Sequence, residues 1–161
     1  MKQEAEDQFF GPLQNGTATQ NAALCWRLHR GRVQVLLITS RDTGRWIMPK
    51  GWPINGKSAS ETAATEAWEE AGVQGVMNGT VPFGFYTYDK VQVPKESIPC
   101  HVSIFPLRVK KLAESKQRRR KRIDAQKAAR KVAEPDLRSL LSHLCYKGDA
   151  LIRSAKGQKR A

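Results

Sequence analysis

The stretch from Lys50 to Val73, KGWPINGKSASETAATEAWEEAGV, constrains this chain more than any other. A glycine-containing turn leads directly into a short segment carrying Glu66, Glu69 and Glu70. At about 100° per residue, Thr62, Glu66, Glu69, Glu70 and Val73 share one side of a helix, and Ala64, Ala67, Trp68 and Ala71 take the other. One face is expected to pack and the other to concentrate carboxylates. Three carboxylates that close repel one another unless a cation sits between them, and hard oxygen ligands suit Mg²⁺, with Mn²⁺ as the alternative ion. Gly51 and Gly56 let backbone N–H groups approach an anion, and Lys50 and Lys57 add point charges for phosphate. A metal held this way polarises a phosphoryl oxygen and acidifies a water, so the expected chemistry is metal-assisted hydrolysis of a phosphoanhydride. The bland reading of the same residues is a solvated helix face.

The rest of the composition narrows the setting. A length of 161 residues fits one domain with a real core, and no apolar run approaches a membrane span. The acidic start, MKQEAEDQFF, lacks the apolar stretch of a signal peptide, which makes a cytoplasmic protein the expectation. Cys25, Cys100 and Cys145 are far apart and form no C-x-x-C pair, so they read as buried or semi-buried free thiols, and the isolated His29, His101 and His143 read as structural or surface residues. The net charge of +13 calls for an anionic partner. A polyphosphorylated small molecule is favoured over nucleic acid, because no zinc finger, RNP-like aromatic motif or recognition helix accompanies the basic run Lys116–Arg122. Oligomeric state is left open.

Along the chain, residues 1–19 read as a loose arm, 20–146 as the domain and 147–161 as a basic, mobile tail. Gln20 to Arg30 and Val33 to Ile38 read as a hairpin of strands closed at Gly31-Arg32. Arg45 to Met48 reads as a short strand. Ser58-x-x-Glu61 fits a capping box, which starts a helix near Ser60, and Gly72 ends it. Further strands are expected at Val73 to Met77, Val81 to Tyr88, Cys100 to Val109 and Arg119 to Ile123. Pro106 suggests an edge strand or a bulge. Asp124 is expected to cap a helix over 125–133, and Pro135 to open another through about Tyr146. This order of elements suggests an α/β sandwich with a mixed sheet.

Gly51 to Val73 resembles the signature of the Nudix hydrolases, G-x5-E-x7-R-E-U-x-E-E-x-G-U, where U is bulky and aliphatic. Gly51, Glu66, Glu69, Glu70, Gly72 and Val73 match at the correct spacing, whereas Lys57, Thr65 and Ala67 depart from it. The resemblance implies an α/β/α sandwich around a mixed sheet, covering Asn21 to Leu144. It also implies that Glu66 and Glu70 are the main metal ligands, with Glu69 a further ligand or general base. Within the family the chain is most similar to the diphosphoinositol polyphosphate phosphohydrolase branch, whose members also cleave diadenosine polyphosphates. The segments Ala22–Arg27, Leu36–Arg41, Trp46–Pro49 and Gln117–Arg120 carry that likeness, and Pro49-Lys50-Gly51 is equally like the asymmetric diadenosine tetraphosphate hydrolases. By this resemblance Arg27, Arg41, Arg45, Arg118 and Arg120 join Lys50, Gly51 and Lys57 as candidates to bind substrate phosphates. Lys57 replaces a carboxylate, for which Glu61 or Glu96 could substitute. Thr65 replaces the arginine that pairs with the helix acids. A non-catalytic, basic protein on the same fold is the alternative from a different class. Trp46 and Trp52 read as packing anchors, with base stacking as their functional alternative.

Overall fold

The computed structural model describes residues 17–41, 43–91, 97–114, 118–144 and 151. The expected arm through residue 16, Glu96, Cys145 and nearly all of the tail lie outside them. Eight strands form one mixed sheet: β1 (Ala18–His29), β2 (Arg32–Thr39), β3 (Trp46–Ile47), β4 (Lys50–Gly51), β5 (Val73–Met77), β6 (Gly84–Val91), β7 (Ser97–Leu112) and β8 (Arg120–Asp124). Helix α1 (Ala59–Ala71) lies between β4 and β5, and α2 (Ala125–Ala129) follows β8. A last helix, α3, covers residues 135–144. The long strands β1 and β7 run parallel at the centre, and the other pairings are antiparallel.

Strands β1 and β2 pair only from Trp26 to His29, at their hairpin end. Toward the other end they splay apart, and the short strands fill the gap: β3 bonds to β2 at Ile38 and Thr39, and β4 bonds to β1 at Asn21 and Ala22. The Ala23 N–H donates to Pro49 O at 2.9 Å and continues this join. The fork brings Lys50 and Gly51 into the sheet beside α1.

Both faces of the sheet are covered, giving three layers. On one face Ala23, Cys25, Leu36, Ile38, Phe105 and Leu107 pack against Ala63, Ala67 and Ala71 of α1. On the other, Leu24, Trp26, Leu37, Val102 and Ile104 pack against α2 and against Leu137, Leu141 and Leu144 of α3. Each fully buried Leu or Ile contributes about 1.5–3 kcal/mol by leaving water. Leu151, within the expected tail, is buried in the same cluster, and its carbonyl accepts from Asn78 Nδ2 at 3.3 Å. No helix among the described residues is long and apolar enough to cross a membrane.

The structure corrects several sequence expectations. The packing stripe of α1 is Ala63–Ala67–Ala71, and Trp68 is 47% exposed. Small side chains let the helix backbone approach the sheet, which supplies the bulk through Phe105, Leu36 and Ile38. Pro106 lies in the central strand β7, opposite Leu24. It is tolerated there because its nitrogen and carbonyl face the far edge, where β6 ends at Ile104 and β5 begins at Leu107. Its carbonyl accepts from Asn78 N–H at 2.9 Å, so no β1 ladder bond is lost. Strand β6 starts at Gly84, and Val81 is exposed. Helix α2 has five residues, and the Asp124 side chain makes no capping bond; it pairs with Arg32 at 3.3 Å. The hairpin turn falls on Arg30-Gly31, both with positive φ.

Candidate active site

Helix α1 is held at both ends. Ser58 Oγ accepts from the Glu61 N–H at 3.2 Å, and Glu61 Oε1 accepts from the Ser58 N–H at 3.3 Å, closing the expected capping box. At the other end Gly72 adopts φ 67°, and its N–H donates to Trp68 O. The last turn carries no basic residue of its own, and β8 supplies one: Arg120 Nη1 donates to Ala71 O at 2.8 Å and to Ala113 O. Helix α1 thus presents Glu66 and Glu70, one turn apart, to the fork.

The two carboxylates meet there. Both are half-buried, and they are hydrogen-bonded to each other. Burial, then the charge of Glu70 and of Glu69, pushes the Glu66 carboxyl up to about 8. Burial also raises Glu70, opposed by Arg118 and by Lys50. Glu70 Oε2 accepts from the Lys50 N–H at 3.4 Å, and Oε1 lies 3.7 Å from Arg118 Nη2. Arg118 Nη1 donates to Thr39 O at 3.4 Å, while its Nε–H is buried with no hydrogen-bond partner among the described residues. Gly51 lies directly under this pair, and a Cβ there would collide with the Glu66 carboxylate. The close approach that glycine permits is therefore to the protein's own acid.

The other candidates divide by position. Glu69 is close enough to repel Glu66, but it is exposed and lines a separate groove with Lys57, Thr65 and Trp68. Among the described residues no group of three His, Cys, Asp or Glu side chains gathers closely enough to hold a metal ion. Two carboxylates do meet. That fits Mg²⁺, which takes one or two protein carboxylates and fills its remaining positions with water and phosphate oxygens. Lys57 Nζ donates to Thr65 Oγ1 at 2.7 Å, so the two departures from the family signature face each other and not the acid pair. Glu61 is occupied in the capping box. Arg41 and Arg45 are exposed at the β2–β3 turn, at the fork end, and Arg45 Nε donates to Thr43 Oγ1 at 3.3 Å. Arg119 stacks over Trp46 at 5.9 Å. Arg27 is not brought to the site. It sits five residues beyond the Ala22–Lys50 pairing, roughly 17 Å along β1, and donates to Gln34 at 3.0 Å.

The opposite wall contains Lys50 and Trp52, which the sequence singles out, together with Gln20, Lys90 and Glu134, which it does not, and Tyr88. Lys50 Nζ lies 5.1 Å from the centre of the Tyr88 ring, the Tyr88 hydroxyl hydrogen-bonds to Gln20, and Lys90 lies over Trp52 at 5.2 Å. Burial lowers the proton affinity of Lys50, while Glu70 and Glu134 raise it. Glu134 Oε2 is buried without a partner among the described residues. The sequence signal for Gln20 and Tyr88 was a polar residue within an apolar strand and an aromatic one on a neighbouring strand. Nothing in the sequence signalled Glu134.

No curated protein matches the chain. Solved structures do, at identities that speak for the fold. A Caenorhabditis elegans Ap4A hydrolase binary complex is 19% identical, covering 84% of this chain and 97% of that one, with a TM-score of 0.58. The Escherichia coli dihydroneopterin triphosphate pyrophosphohydrolase is 16% identical, covering 80% and 95%, with a TM-score of 0.62. A MutT protein from Methanosarcina mazei Go1 is 20% identical, covering 82% and 95%, with a TM-score of 0.59. The NUDIX domain family model matches residues 18–138, from the start of β1 into α3. With that match over three-quarters of its length, laid on a mixed sheet and a capped acidic helix, the chain belongs to the NUDIX domain family and is a Nudix hydrolase.

Proposed function

We propose that the chain is a Mg²⁺-dependent pyrophosphohydrolase that cleaves a phosphoanhydride bond in a polyphosphorylated small molecule, a diphosphoinositol polyphosphate or a diadenosine polyphosphate. The observation that carries this reading is the Glu66–Glu70 pair, one helical turn apart and half-buried, flanked by Lys50 and Arg118. Glu66 and Glu70 are the residues that would hold the metal, with Glu69 beside them. The bound metal supplies charge for a phosphoryl oxygen and an acidified water.

The protein's own groups do the remaining work. Loss of the shared proton gives the pair the negative charge a cation requires. The Nε–H of Arg118, which has no partner among the described residues, is a donor for a phosphate oxygen, and its Nη contacts hold the guanidinium in place. Lys50, on the opposite side, supplies a second cation, and Arg41 and Arg45 extend the positive rim at the fork end. Trp52 and Tyr88, each faced by a lysine, offer apolar surface to a substrate that carries a base or ring. That surface, with the Ap4A hydrolase among the structural neighbours, supports asymmetric diadenosine tetraphosphate hydrolysis as the second reading.

The test is turnover with Mg²⁺ or Mn²⁺ on diadenosine polyphosphates, inositol pyrophosphates, nucleoside triphosphates and nucleotide sugars. At least one is cleaved, and Glu66→Gln or Glu70→Gln lowers kcat by 10²-fold or more. Absence of cleavage across the panel, or Gln variants that match wild type, would leave a non-catalytic protein on this fold.

A further inference from the structure

We propose that the groove at the β1–β2 hairpin end is a second anion site, built to take a compact ligand with several clustered phosphates. The groove has a volume of about 520 Å³ and is lined by His29, Arg30, Arg32, Gln34, Arg122 and Lys127, with one carboxylate, Asp124. Four permanent cations therefore face a single acid, and Arg32 already engages that acid at 3.3 Å. Behind Arg122 stand two more cations, Arg27 and Arg120, whose repulsion adds to burial in lowering its proton affinity. Like charges gathered this closely destabilise a fold unless an anion neutralises them.

The backbone provides an independent sign. Arg30 is the one non-glycine among the described residues with positive φ, at 52°. The neighbouring turn residue is Gly31, and Asn or Gly is the usual occupant of Arg30's position in such a turn. A bulky side chain held in the left-handed region is strained, and such strain persists where the side chain has a use. Here it places a guanidinium at the mouth of the groove.

Position and chemistry define the ligand. His29 is seven residues beyond the Ala22–Lys50 pairing, roughly 23 Å along β1 from the acid pair, so the groove is not an extension of that site. Apart from the His29 imidazole its lining offers no aromatic face for base stacking. The recognised feature is phosphate, in a small and dense array.

The experiment is an amide-resolved NMR titration of the metal-free full chain in EDTA at 150 mM salt, with tripolyphosphate as the probe. Amides of residues 29–34 and 122–127 shift together, and an Arg30→Gly, Arg122→Ser double variant weakens that binding at least tenfold while metal-dependent hydrolysis is unchanged. Arg30→Gly alone raises the melting temperature, because glycine takes this φ without strain, and still weakens binding; this separates loss of the site from loss of the fold. Three results would overturn the proposal: no shifts at these amides, undiminished binding by the double variant, or shifts produced by a single-stranded RNA octamer but not by tripolyphosphate.

Discussion

Glu66 should make the metal-free protein less stable as the pH rises, and the size of the effect follows from its surroundings. Its carboxyl ordinarily loses its proton at 4.5, and here at about 8. The folded state binds the proton more tightly than the unfolded state. The associated stability is therefore complete below about pH 4.5 and is lost as the pH climbs through about 8. At 1.36 kcal/mol per pH unit the upper bound is about 5 kcal/mol. Glu66 is half-buried, so water screens it, and about 2 kcal/mol is the working figure. Glu66→Gln removes the ionisation while keeping the hydrogen-bonding shape. Urea unfolding of both proteins in EDTA at pH 5, 7 and 9 should give similar stabilities at pH 5 and a variant more stable by about 2 kcal/mol at pH 9. Groups remote from Glu66 titrate alike in both chains and cancel in the difference, while Glu70, coupled to Glu66, shares in the effect. Adding Mg²⁺ at pH 9 should close the gap by stabilising wild type alone. A stability difference that is constant across the three pH values would refute the reasoning, because it would show that the two acids do not share a proton in the folded state.

Gly51→Ala should lower stability by about 1–3 kcal/mol in urea unfolding, since the new methyl must displace the Glu66 carboxylate, and should weaken Mg²⁺ binding measured by calorimetric titration. For Lys57 and Thr65, a double-mutant cycle through Lys57→Glu and Thr65→Arg should show about 0.5 kcal/mol of favourable coupling, measured by urea unfolding, as expected of an exposed contact whose donor has changed sides. Strictly additive changes would mean that the two departures are unrelated.

Much of the fold was legible because it rests on local chemistry. Ser58, Glu61 and Gly72 announce both ends of α1, and the β-branched run after Arg32 announces a buried strand. Spacing put Glu66, Glu69 and Glu70 on one side of the helix, and the family resemblance singled out Glu66 and Glu70, the two that meet. What could not be read depends on partners distant in sequence. Trp68 was assigned inward because the helical angle groups it with Ala64, Ala67 and Ala71, but the stripe that packs is Ala63–Ala67–Ala71. Arg27, Arg118 and Arg120 looked equivalent as candidates, yet the sheet sends Arg27 to the hairpin end and Arg120 to a helix terminus. Only Arg118 reaches the acids. The signature departures at Lys57 and Thr65 looked like two separate losses, until the helix start placed them in contact.

The alternation of the basic run has a consequence for how this site could be transplanted. Arg120 and Arg122 project from the same side of β8, and Arg118 stands in the bend that leads into it. Arg118 steadies Glu70, Arg120 closes the end of α1, and Arg122 enters the hairpin groove. The segment Lys50–Val73 is therefore not a portable cassette. Grafted onto another scaffold with every signature residue intact, it would leave behind the counter-charge of its acid pair and the donor at its helix terminus. They come from β8 and from the bend two residues before it, more than forty residues later. A recipient without an equivalent of Arg118 and Arg120 would inherit the motif's letters but not its electrostatics.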